Sequence, residues 1–161
     1  MLSMRTGGLA LPLLLFAVAP LTAEPLPAEK IKVSVVAIFA HNRDDKVDPR
    51  LKCIAEEIGK AVPQLKGAGF KMGKMTCKHL NVGVGEKFDL IDDQFALVTL
   101  LSVVQTADKE NLIQLKLTPP GMGEVTYETT CGRFLPIITK YRTGKNNDVL
   151  ILAIRVQPCQ K

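Results

Sequence analysis

From Lys30 onward the chain is a succession of short apolar runs, rich in β-branched residues and punctuated by turn residues, with one helical stripe among them. That rhythm admits few folds. The runs are Lys30 to His41, Gly69 to Leu80, Lys87 to Ile91, Phe95 to Gln105, Asn111 to Thr118, Glu124 to Cys131, Phe134 to Arg142 and Val149 to Gln157. The first reads as a strand with one face fully apolar. The last is apolar on both faces through Ile154, so it belongs at the centre of a sheet, covered by a helix or by a second sheet. Asp92-Asp93 forms a tight hairpin turn between two of the runs, and Thr106 to Glu110, Pro119 to Gly123 and Thr143 to Asn147 supply others.

The helical stripe follows the strongest local signal in the chain. Asp48 offers a carboxylate to the free N–H groups of a first helical turn, and Pro49 stands where the missing N–H costs nothing. The 3.6-residue spacing of Leu51, Ile54, Ala55, Ile58, Ala61 and Val62 predicts a helix from Pro49 to about Val62, stopped by Pro63. The expected fold is therefore α+β, a mostly antiparallel sheet or sandwich with a single packed helix; an all-β sandwich with the helix as a lid is the close alternative.

Residues ahead of these elements read as an address rather than as structure. Met1 to Arg5 carries one positive charge, Gly8 to Leu21 is almost wholly apolar, and no acid precedes Glu24. That apolar stretch is shorter than the roughly 20 residues a membrane span needs, and the layout is that of a cleavable signal peptide over residues 1–23, cut after Ala23. Residues 24–30 form a short Pro-containing tether, and 31–161 a single globular domain. Removing the first 23 of 161 residues leaves 138 in an exported chain, periplasmic or extracellular, with no membrane span after cleavage.

Net charge is modest, +5 for the whole chain, and its lysines are dispersed except for Lys66, Lys71, Lys74 and Lys78. These four form a candidate anion-binding patch for an envelope polymer. With no Trp and two Tyr, the chain lacks the alternation of aromatic and basic residues that a single-strand nucleic-acid platform requires.

An exported chain with four cysteines invites disulfides. If Arg142 faces Asp148 across the last hairpin, Cys131 faces Cys159 near its open end, at cross-strand bonding distance. The remaining pair is Cys53 with Cys77, although Cys53 falls on the polar side of the helix. Each closure would stabilise by about 3 kcal/mol in the chain-entropy account.

Chemistry-bearing patterns are sparse. Cys77 and His79 share one face of a strand, and with His41 or Cys53 they form the alternative, a metal site or a thiolate–imidazole pair. Zinc there would require the cysteines to stay reduced. Ser34 and Ser102 lie inside apolar strands without a nucleophile turn. Asp44, Asp45 and Asp48, and Asp89, Asp92 and Asp93, are explained by turns and a cap, and Gly83 and Gly85 precede no helix. No catalytic signature or cofactor motif is present.

Val35 to Ala40, followed by Val47-Asp48-Pro49-Arg50-Leu51, resembles the opening of small exported bacterial domains of unknown role, over about residues 31–65. The resemblance implies a bacterial envelope setting and supplies no active site. The expectation is a non-enzymatic, disulfide-braced binding or assembly module of the envelope, holding a protein or polymer. The alternatives are a secreted metal-binding protein or enzyme using Cys77 and His79, and an anionic-polymer binder through Lys66 to Lys78.

Overall fold

A computed structural model describes residues 30–42, 44–108, 110–143 and 146–157. The expected signal peptide, nearly all of the expected tether and Cys159 lie outside the described residues. The strands are β1 (Ile31–His41), β2 (Gly69–Leu80), β3 (Gly85–Asp89), β4 (Phe95–Gln105), β5 (Asn111–Thr118), β6 (Val125–Thr130), β7 (Phe134–Arg142) and β8 (Val149–Gln157). They form two antiparallel four-stranded sheets, ordered β2-β1-β8-β7 and β3-β4-β5-β6.

Period-two alternation sorts the side chains of the first sheet into two cores. Val33, Val35, Ala37, Leu150, Leu152 and Ile154 pack inward against Phe88, Val98, Leu100, Ile113, Leu115 and Leu117 of the second sheet. Val36, Ile38, Ala40, Ile151 and Ala153 point the other way, onto Leu51, Ile54 and Ile58 of the helical segment. The fold is thus α+β, a sandwich with one helix on the outside of one sheet. The strand β8 lies centrally as expected, with a helix on one face and a sheet on the other. The strand β1 shares that position, so both of its faces are buried rather than one.

The helical segment lies in the connection between β1 and β2. Pro49–Leu51 is a 3-10 turn and α1 runs Lys52–Ala61, followed by a second 3-10 turn at Pro63–Leu65. The start is tighter than the expected uniform helix, and Ala61, expected in the apolar stripe, is exposed. Asp48 caps as its position implies. Its Oδ1 accepts from Arg50 N at 3.0 Å, and its Oδ2 accepts from Arg50 Nη2 at 2.7 Å. These bonds, first from the guanidinium and then from the backbone N–H, hold the Asp48 carboxyl at about 2, below its ordinary 3.8. A lowered carboxyl contributes stability above its unfolded value and loses it on acidification. The thermal midpoint is expected to fall as pH drops from about 4 to about 2, and Asp48→Asn to flatten that part of the profile. A profile identical in both proteins would contradict the cap.

Two hairpins bear directly on the sequence reading. Asp92 and Asp93 both have positive φ, 49° and 58°, and Gln94 N donates to Ile91 O at 2.8 Å. This is the primed turn that matches strand twist. Asp92 Oδ2 also accepts from the Tyr141 hydroxyl at 3.2 Å, fastening this hairpin to β7. Burial, and then the Asp92 carboxylate, push the Tyr141 phenol above its ordinary value.

In the last hairpin Arg142 pairs with Val149, not with Asp148, and the register shifts between Ile138 and Arg142. Alternation along β7 keeps Thr139 on the inward face with Ile137, where its hydroxyl donates to Leu150 O at 2.9 Å. Cys131 does not lie on β7. It sits in the turn between β6 and β7, so the register argument for its facing partner does not reach it.

Candidate functional site

The site is built where α1 leaves the sheet partly uncovered. With Leu51, Ile54 and Ile58 committed to the core, the adjoining face of α1 presents Lys52, Ala55, Glu56, Gly59 and Lys60, spaced so that they line up along one side. Opposite stand Leu65, Lys66, Gly67, Ala68 and Phe70, with Asp45 and Val47 at one end. Between them lies an open cleft of about 690 Å³, within the range of small-molecule sites. Val47, Ala55, Leu65, Ala68 and Phe70 give it an apolar lining, and Lys52, Glu56, Lys60, Lys66 and Asp45 give it charge.

Both ends of the wall are pinned by backbone bonds. Phe70 N donates to Lys46 O at 2.9 Å and Asp48 N to Phe70 O at 2.8 Å, around a parallel bridge between Val47 and Phe70. Past α1, Lys66 N donates to Pro63 O at 3.1 Å and Ala68 N to Leu65 O at 3.1 Å. Gly67, at φ +86°, makes the reversal into β2, a conformation that a side chain would oppose. The cleft is therefore formed by pinned backbone around an unfilled volume.

Gly59 has the opposite character. It lies inside α1, and a Cβ placed there would meet nothing within 4 Å. Mid-helix glycine costs about 1 kcal/mol relative to alanine, and no packing in the described structure requires it. Its effect is to leave a gap in the α1 wall of the cleft between Ala55, Glu56 and Lys60.

No family model, curated protein or solved structure matches the chain. Its functional reading therefore rests on its own residues.

The lysines expected to act together are divided. Lys66 belongs to the cleft, whereas Lys71, Lys74 and Lys78 lie along β2, the edge strand of its sheet. Lys78 is engaged: its Nζ lies 3.1 Å from Glu86 Oε2 and 5.6 Å from the Phe88 ring centre, which ties β2 to β3. Lysines on an edge strand also oppose pairing with another chain's strand, so this row has a structural role independent of any ligand.

The cysteine and histidine candidates are dispersed as well. Cys53 and Cys77 are free thiols, which corrects the expected bond between them. Cys53 is exposed on the side of α1 turned away from Ile54 and Ile58, and Cys77 is on β2 with its Sγ 3.2 Å from Ser34 Oγ. Cys131 is disulfide-bonded, with its Sγ 3.5 Å from Val156 O; its expected partner Cys159 is among the residues not described.

His79 follows Cys77 on the same face of β2, paired with Lys32. His41 is seven residues farther along β1 than Ser34, the neighbour of Cys77. At strand rise that is about 23 Å, so the two do not converge. Among the described residues no group of three or more His, Cys, Asp and Glu side chains could hold a metal ion.

His41 instead lies against Gly69. Its side chain is 12% exposed, and its Nδ1 is buried without a hydrogen bond, 3.7 Å from Asp44 Oδ1. The sequence reading missed the cleft because Val47, Ala55, Gly59 and Leu65 fall in three segments. Gly59 inside an otherwise helical pattern was the one signal available.

Proposed function

We propose that this chain is a non-enzymatic binding module, exported to the bacterial envelope or beyond it, that holds its ligand in the cleft between α1 and the 65–70 segment. The observation that carries this reading is the cleft itself: about 690 Å³, apolar at its lining and charged at its margin, on a pinned backbone. An unfilled apolar concavity with a few converging charges is the usual form of a small-molecule site. A bond from Cys131 to Cys159 would brace the turn between β6 and β7. A rigid scaffold suits binding because little ordering entropy is lost when a ligand enters.

Gly59→Leu separates the cleft from the fold. A leucine there extends into open space and replaces a poor helix former with a good one, so stability is expected to hold or rise. Nile red, a neutral apolar dye, is expected to bind the unaltered chain saturably at one per chain. The Gly59→Leu protein is expected to lose at least tenfold in affinity. Absence of saturable binding, or equal binding by both proteins, would overturn the cleft as the binding site.

A further inference from the structure

The geometry points to an amphiphile with one apolar chain and an anionic head as the ligand class, an inference that rests on the cleft being the binding site. Two observations favour it. Val47, Ala55, Leu65, Ala68 and Phe70 give the cleft apolar surface, and Gly59 leaves a gap between the α1 side chains where a chain of methylenes would lie. Burying such a chain is favourable in proportion to the apolar area removed from water and needs no directional contacts.

The margin then sets the head. Lys52 and Lys60 come from α1 and Lys66 from the turn after Leu65, against the two carboxylates of Glu56 and Asp45. None of these three lysines is in an ion pair among the described residues. Among the described residues Lys78, Lys87 and Lys116 each have a carboxylate within 4 Å, whereas Lys71, Lys74 and Lys140 are unpaired like the three of the cleft. The cleft thus has a cationic excess with its ammonium groups unengaged, on long stems that reach over apolar surface. A carboxylate or other anionic head at the mouth would take those donors, since charge-assisted bonds are the stronger kind. A cationic head would meet the same excess as repulsion.

Calorimetric titration of the full chain with decanoate, decan-1-ol and decyltrimethylammonium, each below its micelle concentration, tests this. Decanoate is expected to bind at one per chain and at least tenfold more tightly than the alcohol or the cation. The triple variant Lys52→Gln, Lys60→Gln, Lys66→Gln is expected to lose about tenfold in decanoate affinity while binding the alcohol unchanged. Equal affinity for all three compounds, lost together in Gly59→Leu, would overturn the anionic head and leave the cleft as the binding site. Failure of all three to bind a protein that still binds Nile red in the cleft would overturn the amphiphile class alone. Failure of Nile red as well would remove the cleft reading beneath it.

Discussion

Leu152→Ala is expected to destabilise the domain by about 4 kcal/mol, since Leu-to-Ala changes in cores cost roughly 2–5. Leu152 lies on the central strand β8, paired with Ala37 on β1 and with Ile137 on β7, and it is 1% exposed. Its side chain belongs to the core between the two sheets, alongside Leu150 and Ile154. Strands hold its neighbours on both sides and a second sheet faces it, so the surroundings have little room to collapse into the space left. With total stabilities of domains commonly about 5–15 kcal/mol, such a loss consumes a large share. Urea denaturation checks this through the midpoint at constant slope. A loss under about 1 kcal/mol would mean that the sheets do not pack against each other at this residue.

Gly69→Ala is expected to cost about 3 kcal/mol, at the upper end of overpacking effects. The reason is close approach, not an unusual backbone conformation. A Cβ at Gly69 would collide with the His41 imidazole and come 2.6 Å from the Asp44 carbonyl oxygen. His41 is nearly buried and the Asp44 carbonyl is backbone, so neither yields as a flexible side-chain tip would. The change also reaches the proposed site. Displacing Asp44 moves the segment carrying Asp45 and Val47, which forms one end of the cleft and is bonded to Phe70. Gly69→Ala is therefore expected to weaken Nile red binding as well as stability, whereas Gly59→Leu weakens binding alone. A Gly69→Ala protein as stable as the parent would contradict the close contact between β2 and His41.

The comparison of these two glycines shows what local sequence can and cannot reveal. Short runs separated by turn residues locate β2, β4, β5, β7 and β8 at the ends found in the structure, because side-chain period and turn residues are local properties. Asp48-Pro49 marks the helical start for the same reason. Pairing is less local. The β7–β8 register shifts between Ile138 and Arg142, while the burial alternation along β7 runs on without a break and does not reveal it. The Cys53–Cys77 pairing rests on counting alone, and the polar neighbours of Cys53 on the helical wheel already oppose it; both thiols are free. The cleft depends on how the 45–47 segment, α1 and the 65–70 segment meet, a tertiary matter. Sequence alone shows Gly59 as a helix-weakening residue, and only the empty space beside it makes it a wall.

Among the described residues, exposed apolar side chains also stand away from the cleft. Phe95 and Leu97 are 44% and 43% exposed on the outer face of the second sheet, with Lys87 Nζ 4.6 Å from the Phe95 ring centre. Amide chemical-shift mapping of the full chain, titrated separately with decan-1-ol and decanoate, decides between the two surfaces. The account predicts saturable shifts for either ligand centred on Ala55, Gly59, Leu65 and Ala68. Shifts centred on Phe95 and Leu97, or none that saturate, would contradict it.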